Sequence, residues 1–242
     1  MAEWFKDWFN TKYYHILYKN RNFEEAEIFI QNLVAHLNLQ KGAHVLDLAC
    51  GKGRHSIFLN KLGFDVVGVD LSPENIACAN QNASENLKFF VHDMRNPIPN
   101  EKFDAVFNLF TSFGYFKEDK DNLKVLESIA TYLKHGGTFV LDFFNVEKTL
   151  SEMKDHYNLQ IDGIQFKIDK FYDGKIIHKH IKIIDGDKEL EFEEQVQALK
   201  RENFEEMLTQ CGFIIQEMFG DYNLSNFDPV NSERLIIKAQ LR

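Results

Sequence analysis

The sequence has few cysteines and no long apolar run, and each of these absences excludes a class of protein. The three cysteines among 242 residues show no Cys-x-x-Cys or Cys/His spacing, which fits reduced thiols in a cytoplasmic protein better than a disulfide framework. No run of about 18 apolar residues exists, and charges are spread through the amino-terminal segment. We therefore expect neither a membrane span nor a signal peptide.

Basic residues are outnumbered by acidic ones, 28 to 37, so the formal net charge is −9. A basic face for phosphate backbones is therefore not expected, and nucleic acid is predicted not to be a partner. A metal site is not expected either. His178 and His180 share one face of a predicted strand, but lysines surround them and that strand offers no acidic third ligand. What the chain has is apolar bulk, with 44% hydrophobic residues and 23 phenylalanines, which suits a globular core and apolar pockets.

Short apolar segments alternate with helical patterns over residues 43–144, after an aromatic-rich helical region over residues 4–39. Such alternation predicts right-handed β-α-β units and a parallel sheet. The last of these helices is predicted over residues 122–134, with Gly136-Gly137 as its stop.

The pattern changes after about residue 150, where three Asp-Gly pairs separate β-rich segments. Asp-Gly is a strong hairpin signal, so residues 155–199 are predicted to form an antiparallel meander. A helix and two closing strands are predicted after it. The expected organisation is a single domain over 1–242, with a helical lid at 1–40, a cofactor-binding core at 41–150, an inserted β subdomain at 151–200 and a closing helix and hairpin at 201–242.

Residues 45–55, VLDLACGKGRH, combine an apolar strand, two closely spaced glycines and the start of a helix. Glycines let a ligand approach the backbone closely, and free N–H groups at a helix start favour a carboxylate or a phosphate. Asp70 lies 19 residues after Gly51, at the end of the second strand, where a carboxylate can accept hydrogen bonds from ribose hydroxyls. Asp93 follows the third strand and is placed to accept from the adenine amine, with Met94 beside the ring.

Two cofactor classes fit a glycine loop followed by a ribose-binding acid. The dinucleotide site of an NAD-dependent oxidoreductase needs G-x-G-x-x-G/A, and Ser56 stands at the third position, which is small but neither Gly nor Ala. Asp47, four residues before the first glycine, suits a single adenosine that carries an amino acid tail. We expect Asp47 to meet the ammonium group of that tail through its side chain or through water.

At this point the sequence resembles the class I S-adenosylmethionine-dependent methyltransferases, in the branch that acts on small molecules. The successive motifs are VLDLACGKGRH, VVGVDLSPENIACA, VHDMRN, FDAVFNLFTSFGYF and LKHGGTFVLDFFN. Any one motif is weak, but five in order with suitable gaps are a strong signal. The resemblance covers roughly residues 10–150 and implies an α/β, Rossmann-like fold. Its seven-stranded sheet is mostly parallel with an antiparallel last strand, and the β-meander is an insertion.

The resemblance implies S-adenosyl-L-methionine as the cofactor and gives roles to single residues. The two glycines would form the loop around the methionine part, and the acid after the second strand would bind the ribose. Leu71 would pack on the adenine, while the backbone of Asn108 would lie near the sulfonium. Tyr14, Tyr18 and Arg21 resemble a lid that closes over the cofactor. With the acid before the loop, the predicted cofactor-binding set is Tyr14, Tyr18, Arg21, Asp47, Gly51, Gly53, Asp70, Leu71, Asp93, Met94 and Asn108.

The acceptor is expected to enter at the carboxyl ends of the strands and to lie in line with the departing sulfur. Tyr14 and Tyr115 are the candidate catalytic residues. The insert is expected to be a substrate lid or the surface of a homodimer, and its 8 lysines against 11 acidic residues disfavour a nucleic-acid channel. The predicted function is methyl transfer to a nitrogen or oxygen of a small molecule. The alternatives are an RNA or protein methyltransferase, an NAD-dependent oxidoreductase and a non-catalytic cofactor-binding protein.

Overall fold

The computed structural model of the chain describes residues 4–19 and 23–242. The helices are α1 (Trp4–Trp8), α2 (Lys12–Leu17), α3 (Phe23–Leu37), α4 (Arg54–Lys61), α5 (Pro73–Ala79), α6 (Asp119–Tyr132), α7 (Val146–Ser151) and α8 (Arg201–Gln210), with a 3-10 turn at Asn80–Asn82. The strands are β1 (His44–Leu48), β2 (Asp65–Asp70), β3 (Leu87–Val91), β4 (Phe103–Asn108), β5 (Leu133–Phe144), β6 (His156–Ile161), β7 (Ile164–Tyr172), β8 (Ile176–Asp185), β9 (Lys188–Gln197), β10 (Phe213–Phe219) and β11 (Arg234–Leu241).

Seven strands form sheet A in the order β10-β11-β5-β4-β1-β2-β3. The pairs β1–β2, β2–β3, β1–β4 and β4–β5 are parallel. Strand β11 runs antiparallel to both of its neighbours, β5 and β10. The predicted α/β, Rossmann-like sheet with an antiparallel last strand is confirmed.

Four strands form sheet B, an antiparallel meander in the order β6-β7-β8-β9. The three Asp-Gly pairs lie where consecutive strands of this sheet turn back. At the first turn Asp162 and Gly163 both have positive φ, 53° and 81°, as a two-residue hairpin turn of the primed type requires. The predicted β-meander insertion is confirmed.

The apolar residues of sheet A divide between its two faces. Val45 and Leu46 are neighbours in β1 with no exposed surface, yet they belong to separate clusters on opposite sides. Strands buried on both faces read as continuous apolar runs, which is the pattern that predicted them. A third cluster joins sheet B to the amino-terminal helices through Trp8, Tyr13 and Phe166.

Helices α1 and α2 pack against the inner face of sheet B. The indole of Trp8 donates to Glu194 at 2.7 Å, and the hydroxyl of Tyr13 donates to Asp185 at 2.9 Å. Both tryptophans of the chain, Trp4 and Trp8, lie in α1. The helical spacing of the aromatic residues before α3 therefore belongs to two short helices, α1 and α2.

The prediction that Gly136-Gly137 stops a helix is wrong. Helix α6 ends at Tyr132, and β5 begins at the next residue. The pairing of β4 with β5 then jumps, because Phe103 lies opposite Leu133 whereas Ala105 lies opposite Thr138. The glycines occupy this bulge, where Gly136 has a φ of +75°. Positive φ serves a bulge as well as a helix end, so the residue type alone does not distinguish them.

Within residues 4–19 and 23–242, none of the helices combines the length and the apolar character needed to cross a membrane.

Candidate active site

A cavity of about 350 Å³ lies at the carboxyl ends of β1, β2, β3 and β4, beneath α1 and α2. The predicted site residues that line it are Tyr14, Tyr18, Gly51, Asp70, Leu71, Asp93, Met94 and Tyr115. Asp47, Gly53 and Asn108 are not among its lining residues. Arg21 lies outside the described residues.

The glycine loop follows β1 as a compact turn. Ala49 and Gly51 both have positive φ, 63° and 57°, and the N–H of Cys50 donates to the carbonyl of Val69 at 2.9 Å. Gly53 has a φ of +82° and caps the start of α4. A Cβ on Gly53 would lie 2.8 Å from the ring of Phe89, so close packing on β3 requires glycine there.

Asp47 lies beneath this loop and supports the first turn of α4. Its side chain is 1% exposed, and the hydroxyl of Ser56 donates to its carboxylate at 2.5 Å. Burial raises the pKa of Asp47 to about 6, although the hydrogen bonds from Ser56 oppose this. Because Asp47 reaches α4 and not the cavity wall, its predicted contact with an ammonium group stays a prediction.

Asp70 stands at the end of β2 with its carboxylate at the cavity. One oxygen accepts the N–H of Gly51 at 2.9 Å, and the other accepts the N–H of Ser72 at 2.9 Å. Burial raises the pKa of Asp70, while these backbone hydrogen bonds oppose the rise. A carboxylate offers about four lone-pair positions, so Asp70 retains acceptor capacity for a diol beside the loop.

Asp93 lines the cavity beyond β3 and is held by an arginine that sequence reasoning did not single out. The guanidinium of Arg95 donates to both oxygens of Asp93, at 3.0 Å and 2.5 Å. The same guanidinium lies 4.7 Å from the ring centroid of Phe116, another lining residue. The Asp-x-Arg spacing in VHDMRN is the sequence feature that could have indicated this pair.

Asn108 ties the ends of β4 and β1 together beneath the cavity. Its side-chain amide donates to the carbonyl of Leu48 at 3.0 Å, and the residue has no exposed surface. Its side-chain carbonyl finds no hydrogen-bond partner among the residues that the structure describes.

The three predicted tyrosines line the cavity, and the hydroxyls of Tyr18 and Tyr115 bond to other parts of the protein. Tyr18 donates to Glu194 at 2.7 Å and accepts from Lys179 at 2.5 Å, which connects α2 to sheet B. The hydroxyl of Tyr115 donates to the carbonyl of Thr111. The ring of Tyr14 lies 5.0 Å from that of Tyr18.

His55 lines the cavity in the first turn of α4, and sequence reasoning missed it. The residue is 5% exposed, and its Nε2 lacks a hydrogen-bond partner within the described part of the chain. Burial lowers the pKa of His55 well below its usual value, and the nearby Arg54 adds to this effect. The imidazole is therefore neutral at pH 7. The only sequence feature that could have indicated His55 as a site residue is its position directly after the glycine loop.

Comparison with known proteins identifies the family. Residues 39–197 match the family model described as a methyltransferase domain. The chain is 31% identical over 214 residues to the putative methyltransferase YqeM of Bacillus subtilis (strain 168), a match that covers 84% of this chain and 86% of that protein. It is 38% identical over 138 residues to a glycine/sarcosine N-methyltransferase of Aphanothece halophytica, covering 54% of this chain and 50% of that one.

Among solved structures, an S-adenosylmethionine-dependent methyltransferase from Clostridium acetobutylicum ATCC 824 has the same fold. It aligns with a TM-score of 0.80 at 24% identity, over 95% of this chain and 96% of that chain. The chain described here belongs to the methyltransferase domain family. It is a class I enzyme, and its cofactor is S-adenosyl-L-methionine.

The residues around the cavity fit this cofactor. Asp70 has acceptor capacity suited to ribose hydroxyls, and the apolar side chains of Leu71 and Met94 are suited to an adenine ring. A Cβ built on Gly51 would meet no atom within 4 Å, so the loop leaves open space at the position expected for the amino acid tail.

A metal centre is not evident in the described parts of the chain, where no group of three or more His, Cys, Asp and Glu side chains is arranged to hold an ion. His178 instead contacts Glu193 and Asp173, both at 2.9 Å.

Proposed function

We propose that this enzyme transfers the methyl group of S-adenosyl-L-methionine to a nitrogen atom of a small molecule, with an oxygen atom as the second candidate. The observation that carries the proposal is the cavity of about 350 Å³, because this volume lies within the range of small-molecule sites. Aromatic side chains from α1 and α2 cover it. The name of the Aphanothece halophytica relative, a glycine/sarcosine N-methyltransferase, supports an amine acceptor.

The roles of the chain's residues follow from transfer to an amine. The bound cofactor supplies an electrophilic methyl group on a sulfonium. Asp70 would orient the ribose, and the loop around Gly51 would hold the amino acid tail. The rings of Phe9, Tyr14 and Tyr115 would exclude water and hold the acceptor in line.

The remaining parts of the chain take supporting roles in this proposal. Residues 1–40 act as the lid, 41–150 as the cofactor-binding core, 151–200 as the β subdomain that supports the lid, and 201–242 as the closing segment. The outer face of the insert is the candidate surface for a homodimer, which light scattering would test. Free thiols at Cys50, Cys78 and Cys211 support residence in the reducing cytoplasm, and the net charge of −9 supports the absence of a nucleic-acid partner.

The test is methyl transfer from radiolabelled cofactor to glycine, sarcosine and glucosamine, with bulk tRNA and a protein mixture in parallel. We expect label in at least one amine and none in the macromolecules. Label that enters only tRNA or protein would overturn the small-molecule proposal.

Tyr115→Phe tests the catalytic assignment within this proposal. The hydroxyl of Tyr115 bonds to the backbone of Thr111 in the loop that lines the cavity. We expect kcat to fall with the acceptor found above. A variant with full kcat would remove Tyr115 from the catalytic residues.

A further inference from the structure

The turn after β4 holds two consecutive residues in a backbone conformation that neither prefers. Phe110 has a φ of 57° and Thr111 a φ of 60°. Non-glycine residues rarely adopt positive φ, and for a β-branched residue such as Thr111 it is a marked outlier. Such strain persists only where the surroundings determine the conformation, and it concentrates at functional sites.

Asp142 in β5 is the residue that determines this turn. Its carboxylate accepts the N–H of Phe110 at 2.8 Å, and its backbone carbonyl accepts the N–H of Thr111 at 2.9 Å. The side chain of Asp142 has no exposed surface. Its second oxygen accepts from Nε of Arg234 at 2.7 Å, while the same guanidinium donates to the Thr111 hydroxyl at 3.0 Å. An ion pair between the buried Asp142 and the partly buried Arg234 therefore fixes the turn from two strands of sheet A.

The turn directs the ring of Phe110 to the cavity, which it lines. The guanidinium of Arg54 lies 4.0 Å from the ring centroid. The rings of His55 and Tyr222 lie 5.0 Å and 5.3 Å from it. Phe110 is thus a rigid wall whose position depends on its backbone.

This wall follows Asn108 by two residues, and Asn108 is the one member of the predicted cofactor-binding set on β4, where its backbone would lie near the sulfonium. Asp70 and Asp93, with the loop around Gly51, follow β1, β2 and β3, whereas Phe110 follows β4. An acceptor must approach the methyl group from the side opposite the cofactor's departing sulfur. The β4 and β5 side is therefore where the acceptor would lie.

We propose that Asp142 is a positioning residue for the acceptor, which it serves by fixing the Phe110–Thr111 turn and hence the ring of Phe110. The inference rests on the proposed small-molecule function. It predicts that loss of the Asp142 charge loosens the acceptor site and leaves the cofactor site intact.

The test compares Asp142→Asn with Asp104→Asn. Asp104 also accepts one backbone N–H, from His44 at 2.9 Å, and pairs with one cation, Lys134 at 2.6 Å, but at the amino end of β4. For each variant we would measure affinity for S-adenosylhomocysteine by calorimetry. We would also measure KM and kcat for the amine that the wild type methylates.

We expect Asp142→Asn to raise the acceptor KM roughly 10- to 100-fold, because small misplacements of a positioning group have effects of this size. Affinity for S-adenosylhomocysteine should stay within about twofold in both variants, and Asp104→Asn should keep the wild-type KM. A purely structural role would lower kcat through loss of active protein and leave KM unchanged, which would overturn the inference. A loss of S-adenosylhomocysteine affinity as large as the rise in acceptor KM would also overturn it.

Phe110→Leu is the second variant, for the case in which Asp142→Asn does not fold. It keeps the backbone contacts of the turn and removes the aromatic wall. An unchanged acceptor KM in this variant would overturn the inference. A wild-type enzyme that methylates none of the amines would overturn the proposed function as well, whereas a failure of the variants alone leaves that function standing.

Discussion

The two sheets are buried in different ways, and they serve the cavity differently. Sheet A has apolar clusters on both faces, so its central strands are buried along nearly their whole length. Helices α1 and α2 cover one face of sheet B. Its other face carries charged side chains such as Lys167 and Glu189. Sheet A brings loops to the cavity at the ends of its strands. Sheet B acts at a distance, through the helices that lie on it.

The link between the two regions is a small group of polar side chains. Glu194 in β9 accepts from Trp8 and from Tyr18, and Lys179 in β8 lies 3.3 Å from it. Lys179 and Glu194 are 11% and 12% exposed in their side chains. A nearly buried ion pair contributes little net stability, but loss of one partner is costly. The pair therefore fixes how α2 lies on sheet B, and through Tyr18 it reaches the cavity wall.

The largest expected effect comes from removing a core ring from one sheet or the other. Phe107 in β4 and Phe166 in β7 have no exposed surface. Substitution by alanine should reduce the free energy of unfolding by about 3–5 kcal/mol in either case. Hydrogen exchange should then separate the sheets: Phe166→Ala should expose β7 and β8 while β1 and β4 stay protected. Equal loss of protection in both sheets would mean that they unfold as one unit.

The second-largest effect is expected from removing the charge of Glu194, which joins the two regions. Glu194→Gln leaves the ammonium of Lys179 without its counter-charge, so we expect a loss of about 3 kcal/mol in the free energy of unfolding, measured with urea. The control is Glu189→Gln, which breaks the exposed pair with Lys182 in the same sheet. That variant should behave as wild type. Equal effects of the two substitutions would show that the Lys179–Glu194 pair does not link the two regions.

Asp70 tests the ligand-binding edge of sheet A. Asp70→Ala should weaken binding of S-adenosylhomocysteine by about 1.5–3 kcal/mol, because a hydrogen-bonded charge is lost. Calorimetry would show this as a roughly 10- to 150-fold rise in Kd. Asp65→Ala at the other end of β2 removes an acid that pairs with His44 and should leave Kd unchanged. Wild-type affinity in Asp70→Ala would show that the ribose assignment is wrong.

The buried carboxyl of Asp47 in sheet A should make the stability of the protein depend on pH. Its carboxyl has a pKa of about 6 in the folded chain and an ordinary value of 3.8, so the folded state holds a proton more tightly. The Asp47 contribution to stability is therefore present at low pH and falls as pH rises from about 4 to about 6, by about 3 kcal/mol. Urea unfolding of wild type and Asp47→Asn at both ends of this range would show it. A constant difference between the two proteins would contradict the assignment.

The smallest effect is expected on the outer face of sheet B. Burial lowers the pKa of His178, but hydrogen bonds to Glu193 and Asp173 outweigh this and raise it. The interaction thus stabilises the fold below about pH 6.5 and is lost as pH rises through the folded pKa. His178→Gln should lower Tm slightly at pH 5.5, by an amount worth less than about 1 kcal/mol, and not at pH 8.5. A larger effect at pH 8.5 would contradict this sign.

Sequence patterns predicted the parts of the molecule whose partners are local. The strand and helix periods of sheet A, the Asp-Gly turns of sheet B and the acids that follow strands each depend on a few neighbouring residues. Ser72, for example, caps α5 by accepting the N–H of Asn75 at 3.1 Å, as its position before Pro73 predicts.

Contacts between distant parts of the chain were not predictable in this way. Asp142 meets Phe110 across 32 positions and Arg234 across 92, while Tyr18 meets Glu194 across 176. A single sequence contains no periodicity that pairs such residues, because the fold alone brings them together. The contacts of Asp142 belong to the proposed acceptor site, and for this reason the sequence identifies the methyl donor and not the acceptor.

Helix α1 gives the protein an optical property that follows from its composition. Both tryptophans of the chain lie in this one helix. The ring of Trp4 lies 5.4 Å from that of Tyr115 at the cavity, while the indole of Trp8 bonds to Glu194 in sheet B. Tryptophan emission from the unlabelled protein therefore comes from this helix alone. A spectral shift on titration with a ligand would report movement of this helix without a dye or a substitution.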